Sequence, residues 1–73
     1  MLPIQCKMAR TALSLGVREL AELAKVSPDT VARFERGDAL RERTIEDLKR
    51  ALETAGVEFI PENGGGAGVR LKK

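Results

Sequence analysis

The residues best suited to recognition chemistry stand in one short stretch, residues 26–37, which reads Val-Ser-Pro-Asp-Thr-Val-Ala-Arg-Phe-Glu-Arg-Gly. The guanidinium of Arg33 can donate two parallel hydrogen bonds to O6 and N7 of guanine, or it can be an ordinary solvated helix residue. The carboxylate of Asp29 can accept a hydrogen bond from cytosine N4, or it can stabilise the positive end of a helix dipole. Because both fall on one side of a predicted helix, we favour base reading for Arg33 and leave both uses of Asp29 open.

The same stretch predicts one short helix with a marked start and a marked end. Ser27 is a good N-cap, because its hydroxyl can accept a free backbone N–H of the first turn. Pro28 suits the first helical position, which needs no N–H, and Gly37 suits the left-handed residue that ends a helix. Val31 and Phe34 form a narrow apolar stripe that anchors the helix, so the opposite face is free for recognition.

A second group of cationic side chains follows this helix. Arg36, Arg41 and Arg43 alternate with acidic residues, so a mixed-charge surface loop and a phosphate clamp are both consistent with the pattern. Arg43 and Thr44 are the stronger candidates, because they stand at a predicted helix start, where free N–H groups attract phosphate.

Composition narrows the classes of function. The chain has 73 residues, a formal net charge of +2 and a pI of about 9.0, which permits nucleic-acid binding without demonstrating it. It has no histidine, no cluster of metal ligands and no glycine loop before a helix, so we expect neither an enzyme nor a metal or other cofactor. Cys6 is the only cysteine, no run is long enough to span a membrane, and no secretory signal is recognisable, so we expect a cytoplasmic protein.

Apolar spacing predicts four helices, with bounds at residues 3–15, 17–24, 27–36 and 45–55. Thr44 is the predicted N-cap of the last helix. Arg10 stands among the apolar positions of the first helix, where it either reaches water with its head or pairs with a carboxylate elsewhere. The fold class is therefore mainly α.

The last stretch changes period. Residues 57–60 and 69–72 alternate in the manner of strands, and residues 63–68 between them are a flexible glycine-rich loop. We favour two short strands over a disordered tail, because a disordered tail would leave these apolar side chains exposed to water.

Two short helices joined by a tight turn, the second with an exposed face, form the helix-turn-helix pattern. The segment 10–37 resembles the lambda-repressor-like, XRE-type helix-turn-helix family, and the similarity continues through residue 55. The residues that carry the resemblance are Leu20, Ala21, Ala24, Val26, Ser27, Val31, Phe34, Glu35, Arg36 and Gly37.

The resemblance implies a role for each candidate residue. The helix from Ser27 to Arg36 becomes the recognition helix in the major groove of double-stranded DNA. Base-reading positions fall to Pro28, Asp29 and Arg33, with Thr30 close to base or phosphate. Phosphate contacts are implied for the starts of the second and third helices and for residues 41–44. The family also implies an internal ion pair between Arg10 and Glu35.

Three departures from the family pattern change these expectations. Gly16 and Val17 replace the usual Ser or Thr followed by Gln, so Arg18 becomes the candidate for the missing side-chain phosphate contact. Lys25 replaces the usual glycine of the turn and is expected to carry left-handed strain of roughly 1 kcal/mol. Residues 57–73 replace the usual fifth helix.

These observations give one leading hypothesis and one competitor. The first is a DNA-binding transcriptional regulator, in the first instance a repressor, with a helix-turn-helix domain at 1–56 and a dimerisation tail at 57–73. It would bind an inverted-repeat operator as a homodimer. The tail residues expected to make the dimer are Val57, Phe59, Ile60, Val69 and Leu71. The competitor is an antitoxin or adaptor that binds mainly a protein partner. A homodimer formed without a partner favours the first hypothesis.

Overall fold

The computed structural model describes residues 1–72 and has four helices followed by a two-stranded antiparallel sheet. The predicted fold class, mainly α with a C-terminal β segment, is confirmed. The elements in chain order are α1 (Pro3–Ala12), α2 (Val17–Ala24), α3 (Pro28–Glu35), α4 (Glu42–Ala55), β1 (Val57–Ile60) and β2 (Gly68–Leu71). None of the helices in this part of the chain is long and apolar enough to cross a membrane.

Two helix bounds differ by three residues from those predicted, and α3 is one residue shorter at each end. Helix α1 ends at Ala12 rather than residue 15, because Ser14 adopts a left-handed conformation with φ of 60°. Helix α4 begins at Glu42, three residues before the predicted start, with Arg41 as its N-cap. The Arg41 carbonyl already accepts the first helical bond from the Ile45 N–H, at 3.1 Å. The prediction of Thr44 as N-cap is therefore wrong.

The core lies where α2 packs against α3 and α4, and α1 covers its side. Few aromatic residues are available, so small and branched side chains fill it. The fully buried hydrophobic side chains at its centre are Cys6, Ala9, Leu20, Val31, Leu48, Leu52 and Val57. Phe34, on the inner face of α3, is also buried. This apolar stripe fixes which face of α3 points to solvent.

The two strands pair within one chain and lie against the helices. Their register sets Val57 opposite Leu71 and Phe59 opposite Val69, so these four side chains share one face. Val57 is fully buried in the helical core, and Phe59 and Val69 pack on it. The tail thus contributes to the same core as the helices. The predicted tail runs to Lys73, which lies outside the described residues.

Gln5 joins α1 to the hairpin. Its amide Nε2 donates to the carbonyls of Ile60 and Gly68, at 3.1 and 3.0 Å, and its Oε1 accepts from the Leu2 N–H at 2.8 Å. The side chain is buried. A buried amide with all these bonds satisfied holds the hairpin in one position on the helices.

Candidate nucleic-acid interface

The turn between α2 and α3 depends on Lys25. This residue ends α2 with φ of 60° and ψ of 45°, the left-handed conformation that the family resemblance implies. The chain then reverses, and the Val26 N–H donates to the Ala21 carbonyl at 3.0 Å. A lysine here carries a strain that glycine would not. The three-residue connection aims the first turn of α3 away from the core.

Helix α3 starts at a capped end. The Ser27 hydroxyl accepts the Thr30 N–H at 3.1 Å, as predicted for an N-cap, and lies 2.8 Å from the Thr30 hydroxyl. Pro28 and Asp29 follow in the first turn and are exposed. The start of α3 therefore presents polar side chains to solvent.

Helix α3 ends at Gly37, which has φ of +102°. The Gly37 N–H donates to the Phe34 carbonyl at 3.0 Å, and the Asp38 N–H donates to the Arg33 carbonyl at 2.9 Å. These two bonds form a Schellman ending. The ending folds the chain back, so Asp38 lies over the last turn of α3.

A groove separates α3 from the start of α4. Its lining includes four of the candidate DNA-contacting residues, although they are up to fourteen positions apart in the chain. These four are Thr30, Arg33, Arg41 and Thr44. Ala39 and Leu40 form the rest of the wall. The other six candidates are exposed and lie outside this lining: Arg18, Ser27, Pro28, Asp29, Arg36 and Arg43.

Asp38 contacts Arg33 of α3 and Arg36, the C-cap of that helix, a contact that sequence reasoning missed. Its Oδ2 accepts from Arg36 Nη2 at 3.1 Å and lies 3.6 Å from Arg33 Nε. The sequence signal was present, because a residue directly after a C-terminal glycine returns to the last helical turn. Within residues 1–72, by contrast, Arg18, Arg41 and Arg43 take part in no ion pair.

A family model for the helix-turn-helix domain matches residues 5–59, from the first helix into β1. The chain belongs to the helix-turn-helix domain family. This match supports the family resemblance drawn from the sequence and agrees with the geometry of α2, the turn and α3. A search of curated proteins finds no match to the chain.

This helix-turn-helix domain holds α1 and α3 together with an ion pair. Arg10 Nε and Nη2 donate to the Glu35 carboxylate at 2.8 and 2.9 Å. This hydrogen bonding raises the pKa of Arg10, although burial opposes the shift. Cys6 donates to Glu35 Oε2 at 3.4 Å, and burial, together with this carboxylate, raises the pKa of the Cys6 thiol to about 12. The thiol is a packing group and remains protonated.

The N-terminus of α2 in the helix-turn-helix domain is capped from within. Gly16 supplies no side chain, but its N–H donates to Glu19 Oε1 at 2.6 Å. This carboxylate lies in the first turn, where it also suits the helix dipole. Arg18 stands beside it and is exposed.

The five tail residues assigned to dimerisation are buried to different degrees. Val57 is fully buried, and Phe59, Ile60 and Val69 are half-buried within one chain. Leu71 is 49% exposed, at the end of β2. Of these five, Leu71 has the largest surface available to another molecule.

Proposed function

We propose that this helix-turn-helix domain is a sequence-specific DNA-binding transcriptional regulator that works as a repressor. Helix α3 enters the major groove, and a homodimer binds an inverted-repeat operator. The observation that carries the proposal is the groove between α3 and α4, in which Thr30, Arg33, Arg41 and Thr44 lie together. Hydroxyl and guanidinium donors on one concave surface match the acceptors of a DNA backbone and base edges.

The exposed face of α3 reads bases in this proposal. Arg33 donates to guanine from the side opposite the buried stripe, and the exposed Asp29 and Pro28 stand at the end of the helix that enters the groove first. A short helix with small residues in its first turn approaches the base edges closely. Arg33 is the residue from which most of the base discrimination comes.

Phosphates are held by side chains that have no competing carboxylate. Arg18 at the start of α2 and Arg41 and Arg43 at the start of α4 are exposed and unpaired in residues 1–72. The positive end of the helix dipole at both starts favours an anion, although Glu19 and Glu42 in the first turns offset part of that attraction. Ser27 and Thr30 at the start of α3 offer hydroxyl groups to a third phosphate, although the Thr30 N–H is already bonded to Ser27. Arg36 adds a cation at the far end of the helix, partly compensated by Asp38.

The dimer in this proposal forms through the hairpin. The sheet has two strands, so each strand has one edge without a neighbouring strand in the described chain. Open edges favour pairing with a second copy. Pairing β2 of two chains buries Leu71 and creates a two-fold axis. Two recognition helices then lie about 34 Å apart, which fits successive major-groove faces and an inverted repeat.

Binding of such a dimer blocks other proteins from the same DNA, and repression in the cytoplasm is the regulatory outcome we propose. The test begins with selection of random duplex DNA by the purified full chain. An enriched inverted repeat, bound far more tightly than a shuffled duplex, is the expected result. Recovery of unenriched DNA, with equal affinity for selected and shuffled duplexes, would overturn the proposal.

A further inference from the structure

We infer that Asp38 is a positioning residue that sets the guanine preference of the recognition helix by holding Arg33 and Arg36. This inference rests on the proposed function, because it concerns how α3 discriminates between base pairs. It adds Asp38, a residue outside α3, to the determinants of specificity. Its role is to position arginines, whereas an acidic charge alone would only repel DNA.

The backbone places Asp38 with little freedom. Gly37 takes the left-handed conformation, and the Asp38 N–H is fixed to the Arg33 carbonyl at 2.9 Å. The Asp38 carboxylate therefore begins from an anchored backbone, one turn from Arg33 and two residues from Arg36. A side chain that starts from a hydrogen-bonded cap loses less freedom when it binds than one in an open loop.

One carboxylate oxygen serves both guanidinium groups. Oδ2 of Asp38 lies 3.1 Å from Arg36 Nη2 and 3.6 Å from Arg33 Nε. The contact with Arg33 is on its Nε side, so the two terminal nitrogens are left to donate in parallel. Two parallel donors are what O6 and N7 of guanine require. The attraction of Asp38 for Nε thus favours one orientation of the Arg33 guanidinium and leaves its two terminal nitrogens free.

The charge of Asp38 also acts against non-specific binding. Phosphate attraction supplies most of the affinity for random DNA, and it depends on uncompensated cations. A single carboxylate beside Arg33 and Arg36 lowers the net charge at this end of α3, so phosphates gain less from these arginines. The guanine contact depends on directed hydrogen bonds and is retained. The result is a larger ratio of specific to random affinity.

The test compares Asp38→Asn with Asp47→Asn. Both changes remove one negative charge, but Asp47 pairs with Arg50 on α4 and lines the groove between α2 and α4 instead. Each full-length variant is titrated with the selected operator, with operators changed at single guanines, and with a shuffled duplex at several salt concentrations. For Asp38→Asn we expect shuffled DNA to bind several-fold more tightly and discrimination at one guanine to fall by about tenfold. Asp47→Asn is expected to keep the discrimination of the wild type.

The outcomes separate this inference from the proposed function. If the wild type selects an operator and Arg33→Ala loses discrimination while Asp38→Asn keeps it, only the inference is wrong. If Asp38→Asn raises the affinity for all duplexes equally, Asp38 only repels DNA, and the inference is again wrong. If the wild type selects no operator, both fail. Thermal melts check folding, and the Nε–H nuclear magnetic resonance signal of Arg33 is expected to shift in Asp38→Asn but not in Asp47→Asn.

Discussion

Arg10 and Glu35 form a two-point ion pair that joins α1 to the last turn of α3. Nε of Arg10 lies 2.8 Å from Glu35 Oε2, and Nη2 lies 2.9 Å from Oε1. Arg10 Nη1 also donates to the Leu15 carbonyl at 3.1 Å. The two side chains are only 15% and 10% exposed. Removal of either partner therefore leaves a charge with little access to water.

The first prediction concerns this pair. Arg10→Met and Glu35→Gln are each expected to lower the free energy of unfolding by roughly 3 kcal/mol, and the double variant by less than the sum, because single changes strand a buried charge. Urea melts of the three variants measure the coupling. Glu58→Gln, which breaks the exposed Glu58–Arg70 pair, is the control and is expected to have little effect. Strictly additive losses would mean that Arg10 and Glu35 do not support each other.

The second prediction concerns alkaline pH. Burial raises the pKa of the Cys6 thiol from about 9 to about 12 in the native state. The unfolded chain therefore loses this proton first, so the contribution of the thiol to stability is full below about pH 9 and is lost as the pH rises toward 12. Within that window the free energy of unfolding contributed by the thiol falls by up to about 1.4 kcal/mol per pH unit. Urea melts of the wild type and of Cys6→Ala across this range isolate the effect. A stability difference between the two that stays constant with pH would contradict the prediction.

The sequence predicted helix α3 because its determinants are local. Ser27, Pro28 and Gly37 mark its ends by backbone chemistry alone. The left-handed conformation of Lys25 was expected only from the family resemblance, because a glycine is usual at that position. Thr44 misled the assignment of α4, because a hydroxyl three residues before an aspartate looks like a cap even when the helix has already begun. Local patterns did not distinguish a cap from a residue in the first turn.

Local sequence patterns could not predict contacts between distant segments of the chain. The role of Gln5 depends on carbonyls more than fifty residues away, and a lone glutamine on a helix gives no sign of them. Whether the tail strands pair within one chain or between chains also depends on packing, since both arrangements use the same alternation of side chains. The pairing of Arg10 with Glu35 came from the family resemblance, because an arginine among apolar positions has many conceivable partners.

The third prediction separates base reading from phosphate binding. Arg33→Ala is expected to lose roughly 1–3 kcal/mol on the selected operator and to relax preference at one base pair, because its hydrogen bonds are directed at a guanine edge. Arg43→Ala is expected to weaken all duplexes alike and to reduce the salt slope by about one charge. Titrations of both variants with operator and shuffled DNA at several salt concentrations provide the comparison. If Arg33→Ala lowers the affinity for the operator and for shuffled DNA equally, Arg33 does not read bases.

The last prediction concerns assembly through β2. Removal of residues 57–73 is a poor test, because Val57 is fully buried among the helices and its loss would open the core. Leu71→Lys is better, since Leu71 is 49% exposed and a lysine on an edge strand opposes pairing with a second strand. We expect the wild type to sediment as a dimer and Leu71→Lys as a folded monomer with greatly weakened operator binding. Leu23→Lys, at a similarly exposed leucine of α2, is the control and is expected to remain dimeric. A wild type that is monomeric at high micromolar concentration, or a Leu71→Lys variant that still dimerises, would refute the edge-paired dimer and leave the inverted-repeat operator without its two-fold axis.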